Sequence, residues 1–240
     1  MKIILLGYGK MGKEVEQVAL ERNHTILHRI DNAAQTTSEK LAEADAVIEF
    51  TTPDAAPDNI LKCIEAGIPV VAGTTGWYDR FDEVSNACKK KNAAMLTATN
   101  FSLGVNILFR INEELAAIMD RYPNYEARIR ETHHTQKLDA PSGTAVTLAN
   151  AILQNSNTKK RWKGFMQGDK AQAEGAVLPV VSIREGDVKG IHEVSYRSAI
   201  DELVIRHEAF SRKGFALGAV LAAEWLIGKT GVFTMRDVIS

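Results

Sequence analysis

The sequence predicts an α/β protein. An N-terminal, Rossmann-type, doubly wound parallel sheet is expected to precede an α+β unit with a broad, mostly antiparallel sheet. Three observations predict this. Apolar strands alternate with amphipathic helices up to Asn100. A glycine loop, Gly7-Tyr8-Gly9-Lys10-Met11-Gly12, follows the first strand and opens the first helix. Beyond Asn100, three strand patterns follow one another without helices between them.

Each element has its own signal. Lys2 to Leu6 is an apolar run suited to a parallel strand buried on both faces. Met11 to Asn23 places Met11, Val15, Val18 and Ala19 on one helical face. Thr25 to Ile30 is the second strand, closed by Asp31, and Ala46 to Phe50 is the third. Ala56 to Ala66 is a helix stopped by Gly67. Pro69 to Ala72, Phe81 to Asn92 and Ala93 to Thr97 give a fourth strand, a helix and a fifth strand. Leu103 to Asp120 is one long helix. Tyr125 to Thr132 alternates, with Ala127, Ile129 and Glu131 on one side. Thr144 to Gln154 is helical, and Asn155 to Ala173, polar and lysine-rich, is expected to be a mobile surface connection. Val177 to Arg184, Gly190 to Ser198 and Asp201 to Ala209 are expected as antiparallel strands. Gly214 to Ile227 is an apolar helix, and Arg236 to Ile239 closes the chain.

Composition excludes several classes. The 240 residues are 45% hydrophobic and 25% charged, as in an ordinary soluble globular protein. A net charge of −1 gives no footprint for nucleic acid or for a basic membrane-surface patch. The apolar run at the start is far shorter than a signal core, and no stretch reaches the ~20 apolar residues of a membrane span. Cys63 and Cys88 have no metal spacing and are expected to be reduced core residues of a cytoplasmic protein.

The glycine loop implies a dinucleotide. Gly7 permits the tight turn, Gly9 lets the backbone approach a pyrophosphate, and Gly12 allows close helix–strand packing. The helix N-terminus then faces the phosphates. Asp31 stands nineteen positions past Gly12, where a carboxylate accepts from the ribose hydroxyls. It would repel a 2′-phosphate by ~1–4 kcal/mol at about 4 Å. Asn32 adds no positive charge, although Lys10 and Arg29 could compensate in part. NADH is therefore expected to serve at least as well as NADPH. Gly73-Thr74-Thr75-Gly76 ends a strand at the carboxyl edge of the sheet, where ligands of such folds bind.

The segment from Glu131 to Thr144 carries the chemistry. His133 and His134 are adjacent; in a continuing strand they point to opposite faces, so they cannot share one role. That argues against a metal pair, and no third donor stands nearby in the sequence. Imidazole, with an ordinary pKa of ~6.5, is the natural proton donor near neutral pH. Lys137 offers a charge or a proton. Pro141-Ser142-Gly143-Thr144 precedes an apolar helix whose N-H groups suit a carboxylate.

At these residues the chain resembles the dihydrodipicolinate (4-hydroxy-tetrahydrodipicolinate) reductases of lysine and diaminopimelate biosynthesis. The pattern His133-His134-x-x-Lys137-x-Asp139-x-Pro141-Ser142-Gly143-Thr144 is the most specific part of the resemblance. It extends through Phe50-Thr51, the Gly73 loop, Asn100-Phe101-Ser102, Arg184 to Gly190 with His192, and Met235 to Val238. It implies an NAD(P)H-dependent oxidoreductase that reduces 4-hydroxy-tetrahydrodipicolinate. His133 would be the general acid, with Lys137 as catalytic partner. His134, Gly143 and Thr144 would hold the substrate carboxylates. Gly7, Lys10, Met11, Gly12 and Asp31 would contact the dinucleotide. Phe50, Gly73, Thr75 and the segment from Thr97 through Asn100 to Phe101 would line the nicotinamide. It further implies a dinucleotide-binding domain of residues 1–104 completed by a C-terminal helix (213–240), a substrate and tetramerisation domain of residues 105–212, and a homotetramer. Asp31 departs from the commoner glutamate, and the segment between Asp31 and Asp45 is short.

Two other readings remain open on the residues alone. A different nicotinamide-dependent dehydrogenase would share the first half but gives no reason for the His-His-x-x-Lys pattern. A redox-sensing nucleotide-binding protein would need a DNA-binding element or basic patch, and none is evident.

Overall fold

The computed structural model describes residues 1–31, 36–170 and 175–240. Asn32 and the end of the connection at Ala173 lie outside the described residues. The chain divides into two compact units, residues 1–103 with 212–240, and residues 104–211.

The first unit begins with β1 (Lys2–Leu6), α1 (Lys10–Glu21), β2 (Thr25–Ile30), α2 (Ser38–Leu41) and β3 (Ala46–Glu49). It continues with α3 (Ala56–Glu65), β4 (Val70–Ala72), α4 (Phe81–Lys90) and β5 (Ala94–Thr97). Ile3 through Leu6 are all buried because helices cover both faces of the sheet. Ile3 and Leu5 pack with Val15, Val18 and Ala19 of α1, whereas Ile4 and Leu6 pack with Ile60 and Ile64 of α3 and Val84 of α4. The short segment after Asp31 retains a single helical turn, α2, among its described residues.

The second unit contains α5 (Leu103–Met119), β6 (Glu126–His133), α6 (Gly143–Gln154), β7 (Arg161–Met166), β8 (Val177–Arg184), β9 (Ile191–Arg197) and β10 (Glu202–Glu208). Its strand order is β10-β9-β6-β8-β7. Leu108 and Ala116 of α5 and Leu148 and Ile152 of α6 cover one face, against Ala127, Ile129, Val180 and Val194. One expectation is met and one is corrected here: the successive strands β8, β9 and β10 alternate in direction within a mixed sheet, whereas the connection before them is not wholly irregular. β9 is antiparallel to β6 and β10, but β8 runs parallel to both β6 and β7. The α6 and β7 crossovers return the chain to the same end of the sheet, which the strand pattern alone does not encode. The lysine-rich connection is in part a strand, β7, on the sheet edge. Edge strands tolerate outward lysines, while Lys159 before it is buried and donates to Glu126 Oε2 at 2.9 Å.

The chain then returns to the first unit as α7 (Lys213–Leu226), β11 (Gly231–Phe233) and α8 (Met235–Val238). Its sheet is ordered β11-β5-β4-β3-β1-β2, and every pairing is parallel. β11 has no sequence signal because three half-buried residues are too few for a pattern. The strand order reverses beside β1, with β2 on one side and β3 on the other, where open parallel sheets leave a ligand crevice.

Gly7 is required at the end of β1. Its φ is +88°, and a Cβ there would lie 2.0 Å from the Phe50 carbonyl oxygen. Gly7→Ala is expected to cost about 1–3 kcal/mol, read as a fall of several degrees in the thermal midpoint. An unchanged midpoint would mean that the loop relaxes without strain.

Candidate active site

The first unit carries a cavity of about 270 Å³ lined by Gly7, Gly9, Asp31, Phe50, Thr51 and Asn59, among others. It sits at the carboxyl ends of β1 and β3. Gly12 is packed so closely that a Cβ would meet the Gly7 carbonyl oxygen at 2.2 Å, whereas a Cβ on Gly9 would meet nothing within 4 Å. The turn is therefore tight at its two ends and open at its middle glycine, as a backbone that must approach a pyrophosphate requires. Lys10 and Met11 form the first turn of α1.

Asp31 is exposed, and its carboxylate accepts the Tyr8 backbone N-H. Arg29, the nearby cation, is engaged elsewhere: it ion-pairs with Glu16 and stacks 5.7 Å from the Tyr8 ring centre. The Glu16 carboxylate holds the Arg29 guanidinium charged and is itself held below the usual carboxylate range by it.

Phe50, Gly73 and Phe101 form one patch. The Phe50 and Phe101 rings meet edge to face at 5.9 Å, and a Cβ on Gly73 would strike the Phe50 ring. Thr74 is buried and Thr75 exposed. Glu49, the last residue of β3, is buried against Thr51 and Thr74. Glu49 Oε1 accepts from Thr51 and, at 2.8 Å, from the Thr74 hydroxyl. Its burial pushes the carboxyl upward, against the lowering effect of those hydrogen bonds. Thr97 ends β5 with its hydroxyl buried and unpartnered among the described residues. Asn100 Oδ1 accepts the Ser102 N-H at 2.8 Å, fixing the turn that presents Phe101.

The second unit brings together groups distant in sequence. His133 closes β6, buried, with Nδ1-H donating to Glu131 on the same strand face. Glu131 is fully buried and also accepts from Arg184 Nη2, on the neighbouring β8, at 2.9 Å. Burial raises its carboxyl, but hydrogen bonds from His133 and Arg184 outweigh this and bring it to about 2. Arg184 also donates to the carbonyls of Lys137 and Asp139, stapling the loop after β6 to the sheet. His192, on β9, meets the His133 ring edge to face at 5.1 Å. Burial, and then the charge of His133, drive His192 down to about 3. Its Nε2 lies 3.1 Å from the Ser142 hydroxyl, which caps α6 by accepting the Ala145 N-H.

Of the sequence-derived substrate residues, His133 is in this cluster, and Lys137 pairs with Asp139 at 2.7 Å in the adjoining loop. His134 is half-buried beyond the strand end, with its backbone N-H donating to Val188. Gly143 and Thr144 open α6, with Gly143 exposed. The expectation of no further donor near the histidine pair is corrected: atoms of Glu131, His133 and His192 lie within 4.8 Å of one another. Sequence spacing could not show this, because β9 joins β6 only through the sheet. The alternation of β6 did place Glu131 and His133 on one face, a signal sufficient to pair them.

Comparison with known proteins gives a consistent result. Residues 1–101 match the model described as dihydrodipicolinate reductase, N-terminus, and residues 104–239 match dihydrodipicolinate reductase, C-terminus. The chain belongs to the dihydrodipicolinate reductase family. A family member from Christiangramia forsetii, named 4-hydroxy-tetrahydrodipicolinate reductase, is 46% identical over the whole of this chain and 98% of its own length. A reductase of the same name from Neisseria meningitidis is 34% identical, covering 83% of this chain and 74% of its own. Among solved structures, a dipicolinate-bound dihydrodipicolinate reductase from Paenisporosarcina sp. TG-14 superposes with a TM-score of 0.81 at 19% identity, covering 98% and 97% of the two chains. That last likeness shows the fold. The alternative of an unrelated nicotinamide-dependent dehydrogenase is set aside by the family match. No helix among the described residues is long and apolar enough to cross a membrane.

Proposed function

We infer that this chain is a 4-hydroxy-tetrahydrodipicolinate reductase of lysine and diaminopimelate biosynthesis. It reduces its cyclic dicarboxylate substrate to tetrahydrodipicolinate. The observation that carries the reading is the family match along the full chain.

The cavity beside the glycine loop fits a nicotinamide dinucleotide: Gly9 leaves backbone open for phosphates and Asp31 suits a ribose. When bound, the reduced cofactor supplies hydride. Gly7, Gly9, Lys10, Met11, Gly12 and Asp31 hold the dinucleotide, and Phe50, Gly73, Thr74, Thr75, Thr97, Asn100 and Phe101 surround the ring. In the substrate and tetramerisation domain, His134 with the α6 opening at Gly143 and Thr144 grips the carboxylates. His133 protonates the substrate carbon, and Lys137 supports it with positive charge. Orientation contributes much of the rate.

NADH serves at least as well as NADPH. Asp31 repels a 2′-phosphate, and Arg29 is already committed to Glu16. Catalytic efficiencies measured with each cofactor check this, and Asp31→Asn is expected to raise NADPH use selectively. A strong wild-type preference for NADPH would overturn it. The same assay, coupled to an enzyme that makes the substrate from pyruvate and aspartate semialdehyde, tests the function itself. Absence of nicotinamide oxidation by folded protein would refute the reading.

The protein is further read as a homotetramer joined through the second unit's sheet. Arg128, Arg130 and Val204 are exposed on the face that α5 and α6 leave uncovered. Light scattering during gel filtration tests this. A cytoplasmic setting accords with two free, buried cysteines.

A further inference from the structure

We propose that Glu131 is the positioning residue of the reaction: it holds the His133 ring in one orientation, with Nδ1-H bonded to the carboxylate, so that Nε2 is the atom that takes up a proton and, in the imidazolium, delivers it. The proposal rests on the reading of His133 as the acid.

The geometry assigns each atom of Glu131 a task. It is 0% exposed, so its charge can be met only by protein groups. One carboxylate oxygen accepts from Arg184 Nη2 at 2.9 Å and the other accepts His133 Nδ1-H. A carboxylate can only accept here, so the neutral His133 ring must carry its proton on Nδ1. Nε2 is left without a protein partner among the described residues. Beside it stands Gly190, where a Cβ would come within 3.1 Å of that nitrogen. The other charged and titratable neighbours are His192 across the ring face, Lys137 with its partner Asp139, and His207 beyond His192. None of these is hydrogen-bonded to His133, so among the described residues Glu131 supplies its orienting hydrogen bond. Arg184 does double duty, since it also ties down the loop that carries Lys137.

The amide of Glu131→Gln makes the sharpest test. Arg184 needs an acceptor, so it claims the amide oxygen. The amide nitrogen then turns toward His133 and donates to Nδ1. The neutral ring is driven to the Nε2-H tautomer, and the doubly protonated ring loses its acceptor. The expected result is a fall in kcat of roughly ten- to a hundredfold, with KM changed by less than about threefold. Nitrogen-15 NMR of labelled protein should show the Nδ1-H form of His133 in the wild type and the Nε2-H form in the variant, the signal being assigned by its loss in His133→Gln. Should Glu131→Gln not fold, the wild-type spectrum still decides, because an Nε2-H ring there overturns the proposal. A variant with wild-type kcat and an unchanged tautomer also overturns it. His133→Gln in the same assay separates the two ideas. If that variant is impaired while Glu131→Gln is not, the acid role stands and the positioning role falls. If His133→Gln turns over normally, both fall.

Discussion

Replacing His133 by glutamine is expected to lower kcat by about two to four orders of magnitude while leaving KM within about threefold of wild type. A positioned general acid contributes to the transition state and little to ground-state binding. The buried setting of His133 strengthens the expectation. The ring is held by Glu131 on one side and faced by His192 on another, so solvent cannot readily stand in for it. Glutamine keeps the bulk and a donor group but has no proton to transfer near neutral pH. Steady-state kinetics with saturating nicotinamide, together with nucleotide affinity measured separately, would check this. A rate within about threefold of wild type would remove His133 from the chemistry, leaving Lys137 as the group to examine.

The second large effect is on stability in acid. His192 is 5% exposed and sits at about 3 in the folded protein, well below the ordinary histidine value. Its neutral form is therefore the one that folds. The unfolded chain takes up a proton near pH 6.5, and the native chain does not until about 3. Stability from this group is full above 6.5 and is lost as pH falls through that window, by up to about 1.4 kcal/mol per pH unit. Glu131, held at about 2, adds a second loss that begins below its unfolded value and steepens the curve at lower pH. Urea unfolding at pH 6.5, 5.5 and 4.5 should show the wild type weakening. His192→Gln should weaken less steeply, by close to one proton's slope. Equal slopes in the two proteins would assign the acid loss to other groups.

The two effects share one cluster, and its parts differ in how far the sequence reveals them. His133, Lys137 and the α6 opening lie within a dozen residues, so their association is local and visible. The alternation along Tyr125 to Thr132 already turned Ala127, Ile129 and Glu131 to one side, and Glu131 with His133 continues that side. Arg184 and His192 lie about fifty and sixty residues later. Nothing in their spacing indicates that β8 and β9 flank β6, because strand order depends on which crossovers the helices permit.

Local patterns along the chain specify the glycine loop, the apolar strands of the first sheet, the helices that cover them and the motif at the end of β6. These follow from periodicity and from backbone conformations that few residues can adopt, which are properties of neighbouring residues. The tertiary structure decided the parallel direction of β8, the strands β7 and β11, the engagement of Arg29 by Glu16, and the Glu131–Arg184–His192 surroundings of His133. Each of these depends on contacts between segments far apart in the chain. Their free energy comes from shared burial and paired charge, which no local pattern records.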